Sequence, residues 1–437
     1  MASLTPRNGA LPVARNPRRG WRLVAIAVVA LVPARGAFAD PDDATTSSGE
    51  QAPLGEEEMI RLGRARTPGA AVAAATEGLA EARARTAGLF PNPALDWARE
   101  TVDSGPVGGQ GAQDLFTASV PIDVARRLTT RSLVASEEAW LRAEASVSRG
   151  DAVLDALLAY YDVVWAERRV VLLSEAVSNL EEASRVLLRR EAAGAASGYE
   201  STRLAIASEL SQSQLAEARG VLDSTRARLG ALLGVPPASL RIATDLQLRT
   251  DVSESMAAVE GPSRPAVDRA VESLQLARDA VDRAAWSWLP ALSMGGGLKR
   301  ANNFAADSGY GYVIGISLDV PIFDYGQADR QQAEAQRALA NARADAMRRV
   351  SDAEAKSALA TYLVARRELA RFESHTSGRV EALLASARSG YREGERSIVD
   401  LLDAQKVQTE VAERRLALLA KAKSAEARLR AAVGEFQ

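Results

Sequence analysis

The sequence predicts a mainly α protein with a membrane β-barrel, built from a duplicated unit of helix, β-hairpin, long helix and helix. Three observations carry this reading. First, the 437-residue chain repeats itself at a displacement of 200 positions: Val120-Pro121-Ile122 returns as Val320-Pro321-Ile322, Gly194-Ala195-Ala196-Ser197 as Gly394-Glu395-Arg396-Ser397, and Leu233-Gly234 as Val433-Gly434. Second, each copy holds a run of about 65 residues with apolar positions at helical spacing and hardly any helix breaker. Third, each copy holds a pair of segments of about ten residues that alternate apolar and small or polar side chains, the pattern of two-faced strands. A period this long fixes the architecture before any local feature is read.

Upstream of the strands the displacement is 197, since Pro68 answers to Pro265 and Pro93-Ala94-Leu95 to Pro290-Ala291-Leu292. The three extra residues therefore lie between Pro290 and Pro321 of the second copy, whose turn-rich segment 300–309 answers to 103–112 in the first. A length change in a loop leaves the framework intact.

Residues 1–39 have the three parts of a secretory signal. Arg15, Arg18, Arg19 and Arg22 form a basic region, Leu23 to Val32 is apolar throughout, and Ala37-Phe38-Ala39 supplies small residues for cleavage. The apolar run is well short of the roughly 20 residues a spanning helix needs. Cleavage after Ala39 removes six arginines and no acids, leaving 48 basic against 56 acidic side chains, a net charge of −8 in place of −2. An exported anionic chain is a poor partner for nucleic acid. There is no cysteine and a single histidine, His375, so thiolate and soft-metal sites lack material.

In the first repeat, 40–234, the sequence predicts a helix over 70–86, a hairpin over about 91–122, a long helix over about 126–191 and a return helix over about 200–233. Leu154, Leu157, Leu158, Tyr161, Val164 and Trp165 mark the apolar stripe of the long helix. A helix of that length would be about 100 Å long, more than any globular core requires. Gly194 to Tyr199 supplies the reversal. The stretch 235–265 is punctuated by proline and reads as an irregular junction with a short strand near 240–248. The second repeat, 266–437, predicts a helix over 266–287, a hairpin over about 290–322, a long helix over about 326–393 and a return helix over about 398–433.

The strands give the sharpest signal. Tyr310, Tyr312, Ile314, Ile316, Leu318 and Val320 fall on one face, and Gly311, Gly315, Ser317 and Asp319 on the other. Leu292, Met294 and Leu298 do the same in the partner segment, and Leu95, Trp97, Phe116, Ala118 and Val120 in the first copy. An apolar face of this kind suits lipid, although a sheet half-buried on a soluble core alternates in the same way. Four strands cannot close a barrel, and open edges in lipid would leave backbone groups unsatisfied. Three chains would supply twelve strands. Long amphipathic helices likewise need partners for their stripes.

With these segments in hand, the chain resembles the outer membrane efflux protein family, the TolC-like exit ducts of Gram-negative bacteria. The passage Leu318-Asp319-Val320-Pro321-Ile322-Phe323-Asp324-Tyr325-Gly326-Gln327 and the turn from Tyr391 to Gln405 carry the resemblance, with the strand entries Pro91-Asn92-Pro93-Ala94-Leu95 and Trp288-Leu289-Pro290-Ala291-Leu292. It implies a homotrimer with a twelve-stranded barrel in the outer membrane, continued by a periplasmic α-helical barrel. It further implies passive conduction of substrates delivered by an inner-membrane pump through a periplasmic adaptor. By the same resemblance Tyr391 and Arg396 would tether the tip shut, and Asp400 and Asp403 would ring the constriction. Residues three apart share a helix face, so in a trimer six carboxylates could face the axis and bias the pore toward cations. Acids in a first helical turn are also favoured by the helix dipole alone. The first copy has Glu191, Ala196, Glu200 and Arg203 at the equivalent positions, so the gate would belong to the second copy only. Gly194, Ser197, Gly394 and Ser397 would serve as adaptor docking points, and Tyr310, Tyr312, Ile314, Ile316 and Leu318 as the lipid-facing strand.

No constellation of nucleophile, base and orienter can be assembled, so the sequence predicts no enzyme, no cofactor and no resident metal. A non-pore coiled-coil scaffold of the envelope and a type I secretion duct share much of the pattern. Two equivalent hairpins set between rods separate the duct from the scaffold. The Asn92-Pro93-Ala94-Leu95 entry and the overall spacing look closest to members serving heavy-metal or cation exporters.

Overall fold

The computed structural model describes residues 53–436 except 87–88, 103–110, 193–196, 245, 249–263, 304–307 and 377. The secretory segment, Gly194 and most of both hairpin loops lie outside the described residues. Helices α1 (Glu56–Arg66) and α2 (Pro68–Thr86) lead into strands β1 (Ala94–Val102) and β2 (Gly111–Ile122), then helices α3 (Val124–Ala192) and α4 (Gly198–Leu233). After a 3-10 turn at Pro237–Ser239 come α5 (Pro265–Ala284), β3 (Ala291–Asn303), β4 (Ser308–Asp319), α6 (Gln327–Thr376), α7 (Arg379–Glu393) and α8 (Ile398–Ala432).

Three features differ from the sequence expectation. The helix α1 was not anticipated, yet it carries its own signals: Glu56, Glu57 and Glu58 in the first turn and Arg64 and Arg66 in the last, both favourable to the helix dipole. The long helix expected over 326–393 is interrupted. α6 ends at Thr376, and Gly378, at φ 76°, stands before α7. The periodic stripe continues across the gap, which is why pattern alone read one rod, but threonine, serine and glycine in succession have weak helix propensity. The junction holds no strand near 240–248 among its described residues; it has the 3-10 turn and one isolated parallel bridge, Leu54 to Ile242.

α3 is 69 residues long, about 100 Å at the usual rise. Its middle is buried nearly all round, with Val153, Ala156, Leu157, Tyr160, Val163 and Val164 each at most 1% exposed. α1, α2, α4, α5 and α8 all pack against it. Met59 of α1, Leu229 and Leu233 of α4 and Phe436 near the C-terminus complete this core. Charged pairs on the flanks fix register between rods, such as Arg226–Glu167 at 2.7 Å and Arg169–Glu413 at 2.8 Å.

The two hairpins lie side by side in one antiparallel sheet of order β1-β2-β3-β4. Its register sets whole rows across four strands, for example Trp97, Phe116, Leu298 and Tyr312. The seam between β2 and β3 is tight on the inward face. A Cβ on Gly297 would stand 2.1 Å from the Phe116 carbonyl oxygen, so only glycine allows the strands this approach.

Candidate functional site

The tip of the second repeat is built by a helix stop followed at once by a helix start. α7 ends on Gly394, at φ 80°, a left-handed conformation that a Cβ would disfavour. The Gly390 carbonyl accepts from the N–H groups of Glu395 (2.8 Å) and Arg396 (3.0 Å), satisfying the end of the helix. Ser397 then caps α8, its hydroxyl accepting from the Asp400 N–H at 3.3 Å. The Asp400 carboxylate returns the bond, accepting from the Ser397 N–H at 3.1 Å and from its hydroxyl at 2.9 Å. This reciprocal box is the local reason a helix begins here.

Of the four gate candidates, Asp400 and Asp403 are exposed on α8. Asp400 is held below the ordinary aspartate value, chiefly by its bonds to Ser397. Its carboxylate therefore serves the cap within one protomer whatever else it faces. Arg396 lies along the helix end, where a Cβ on Gly390 would come within 2.8 Å of its Cγ and Cδ. Tyr391 points into the protomer, 2% exposed, among Leu187, Leu384, Ile398 and Leu401.

The cation beside Tyr391 is Arg190, at the end of α3. Its guanidinium carbon stands 5.1 Å from the ring centroid, and it donates to the Tyr391 carbonyl oxygen at 3.3 Å. Arg392 adds an ion pair to Glu182 at 2.9 Å. The sequence reading missed Arg190 because it compared equivalent positions of the two copies, and this contact joins the end of α3 in one copy to the end of α7 in the other. The pair Arg189-Arg190 beside the Gly194 turn was the available signal.

Among the docking candidates, Ser197, Gly394 and Ser397 are exposed. Ser197 opens α4 as Ser397 opens α8, with Glu200 accepting from its N–H at 3.4 Å. Both return helices thus open on a serine whose N–H is accepted by the acid three residues on.

The strand candidates stand clear of the protomer: Tyr310, Tyr312, Ile314, Ile316 and Leu318 are 53–82% exposed. Leu95, Trp97, Phe116, Met294 and Leu298 extend the same apolar face across the other three strands, each more than 45% exposed. Among the described residues no strand lies beyond either outer strand, β1 or β4. Among the described residues no helix is long and apolar enough to cross a membrane.

A second polar cluster, unanticipated from sequence, lies where α1 meets the end of α8. Lys423, 1% exposed, pairs with Glu56 at 2.9 Å and Glu426 at 3.3 Å and donates to the Gln247 carbonyl oxygen at 2.9 Å. Burial raises the Glu426 carboxyl, with Lys423 offsetting only part. For Glu56 burial also acts upward, but Lys423 and Arg430 together outweigh it and the group is lowered. Among the described residues no group of three or more acids and histidines gathers into a metal site.

Residues 262–435 match the family model described as "Outer membrane efflux protein". A curated relative, the nickel-cobalt-cadmium resistance protein NccC of Alcaligenes xylosoxydans xylosoxydans, is 26% identical over 318 residues, covering 69% of this chain and 68% of the relative. Among solved structures, the CmeC outer membrane channel of Campylobacter jejuni superposes with a TM-score of 0.71 at 18% identity, covering 87% of this chain and 85% of that one. The CusC transmembrane channel superposes at 0.68 and 16% identity, covering 89% and 95%. The outer membrane protein VceC of Vibrio cholerae gives 0.70 and 17%, covering 87% and 96%. The second repeat thus matches the outer membrane efflux protein family model, and the chain carries the fold of the solved outer membrane channels CmeC, CusC and VceC.

Proposed function

We propose that the chain is one protomer of a homotrimeric outer-membrane exit duct, which passively conducts substrates handed over by an inner-membrane pump and a periplasmic adaptor. The observation that carries the reading is the open sheet. Four strands with two free edges and an apolar face 53–82% exposed along β4 are stable neither alone in water nor alone in lipid. Three copies give twelve strands, within the range of closed barrels. The exposed Ser197, Gly394 and Ser397 are then the adaptor's docking points, together with Gly194, which lies outside the described residues. Asp400 and Asp403 line the constriction, and residues 1–39 direct export.

Cargo is read from likeness alone, and a relative named for nickel, cobalt and cadmium resistance favours divalent metal cations. Such ions are substrates here, passing a tube that needs no ligand set. The test is electrical and electrophoretic. Purified protein should run as a trimer that collapses to monomer on heating and should conduct in planar bilayers. Replacing Asp400 and Asp403 together by alanine should weaken cation selectivity and block by multivalent cations. A protein released from membranes by salt alone, with no conductance, would reject the duct. Conductance with unaltered selectivity in the double variant would remove the two acids from the pore.

A further inference from the structure

The outward face of the sheet is apolar row after row until one row breaks the pattern. At the loop end, Arg99 of β1 stands opposite Asp114 of β2, Asp114 opposite Arg300 of β3, and Arg300 opposite Tyr310 of β4. Alternation places all four on the same face as Trp97, Phe116, Leu298 and Tyr312, the row directly beneath, whose members are 53–82% exposed. Arginine would be costly at the middle of a lipid-facing band, and the cost falls to almost nothing at its edge. From the row at Leu292 and Leu318 to the row at Leu298 and Tyr312 the apolar band occupies about 20 Å of strand. The charged row sits just past its end.

The charges in this row do not cancel. One carboxylate faces two guanidinium groups. Arg99 Nε is 3.9 Å from Asp114 Oδ1, beyond hydrogen-bond reach, and that oxygen has no hydrogen-bond partner. Arg300 turns to the other side, its guanidinium carbon 5.9 Å from the Tyr310 ring centroid, and no described carboxylate pairs with it. Among the described residues this row therefore carries one more positive than negative charge, with two planar donor forks along an apolar surface. Guanidinium forks match phosphate oxygens two by two. A molecule that satisfies both features has an anionic phosphate head and an acyl tail.

We propose that Arg99, Asp114, Arg300 and Tyr310 form a binding site for the phosphate-bearing headgroup of a lipid in the leaflet at the loop end of the sheet. The acyl chains lie down the groove of Trp97, Phe116, Leu298 and Tyr312. Asp114 spaces the two cations and limits their affinity, so that the site holds a lipid without trapping it. The proposal rests on the reading that this sheet spans a membrane.

The test uses the full-length trimer in phosphatidylcholine nanodiscs doped with lipid A, either carrying its phosphates or enzymatically stripped of them. Native mass spectrometry then counts the retained lipid. The wild type should retain the phosphorylated form about tenfold better than the stripped one, two charge-assisted contacts being lost with the phosphate. Arg99→Gln with Arg300→Gln should abolish that preference while leaving trimer and conductance intact. Asp114→Asn, which removes the competing carboxylate, should strengthen it. Equal retention of the two lipids by the wild type, or an undiminished preference in the double glutamine variant, overturns the site. Displacement of the lipid by millimolar inorganic phosphate would mark a general anion site and likewise overturn the assignment. A wild type that neither enters discs nor conducts would fail the duct reading itself and take the lipid site with it, whereas a conducting trimer without lipid preference fails the lipid site only.

Discussion

Tyr391 is the residue through which the tip can be tested most directly. Its ring is 2% exposed, and its neighbours Leu187, Leu384, Ile398 and Leu401 are each at most 6% exposed. Truncating a buried aromatic to alanine costs about 3–5 kcal/mol, and a cation–π partner such as Arg190 contributes about 0.5–2 kcal/mol within that loss. Even about 3 kcal/mol shifts an equilibrium more than a hundredfold. If this cluster holds the second repeat against the end of α3, Tyr391→Ala should raise the channel's open fraction. It should also lower the stability of the folded chain. Tyr391→Phe is the informative control. The hydroxyl is buried with no hydrogen-bond partner, so its removal should be neutral or slightly stabilising. A cycle with Arg190→Ala isolates the ring–cation contact, which the phenylalanine variant keeps and the alanine variant loses. Planar-bilayer conductance and denaturant unfolding read the two consequences. If Tyr391→Ala leaves both unchanged, or if Tyr391→Phe is as disruptive as Tyr391→Ala, the packed ring is not what holds the tip.

Other expectations follow from the same structure. Gly297→Val should abolish the heat-modifiable trimer, because the new side chain has no room against the Phe116 carbonyl oxygen; normal assembly would contradict the close β2–β3 seam. Gly378→Ala should destabilise the fold by about 1–2 kcal/mol, the cost of a Cβ in the left-handed region. A stabilised variant would instead show that α6 and α7 join into one helix. The buried acids make opposite contributions with pH. Glu426 is raised above its ordinary value of 4.5, so its contribution is full below 4.5 and is lost as pH rises through the folded value. Glu56 is lowered from the same value, so its contribution is present above 4.5 and is lost as pH falls. Glu426→Gln should therefore flatten the fall in unfolding midpoint on the alkaline side of pH 4.5 and leave the acid limb in place. Superimposable profiles for the variant and the wild type would exclude Glu426 as the titrating group.

The framework was legible in the sequence because it is written in periods. Strand alternation, the stripe on the long helices and the duplication are each regular over many residues, so isolated exceptions do not hide them. What escaped was written in single residues or in pairs distant along the chain. The break before Gly378 lies inside an intact apolar stripe, and one glycine with its small neighbours decided it. The contact of Arg190 with Tyr391 spans 201 positions and the pair of Glu56 with Arg430 spans 374. Neither follows from spacing, because which turn of one rod faces which turn of another depends on the packing of the whole bundle. Asp400 shows the reverse case: a short cap motif is legible locally, yet that local role is compatible with a place on the pore axis and does not establish it.

The copies also differ in how they are held, and this bears on which of them can move. α3 packs against helices from both repeats, and Val153, Ala156, Leu157, Tyr160, Val163 and Val164 in its middle are at most 1% exposed, whereas Leu128, Val171 and Leu188 towards its ends are 57–60% exposed. α6 packs within the protomer mainly on α5 and α8, and Leu339, Val350 and Val364 on it are 48–58% exposed. A long helix with an apolar stripe left open requires cover from a neighbour, the same demand that the free edges of β1 and β4 make. In a closed trimer the middle of α3 would then be fixed by its own chain, while α6 would be fixed partly by another chain. Contacts between chains can be exchanged without unfolding either one. The break at Gly378 and the separate helix α7 lie on that second repeat, and the Tyr391 cluster is where α7 and α8 meet the end of α3. A gate placed there can open by sliding at an interface, whereas one on α3 would have to disrupt the core of the protomer.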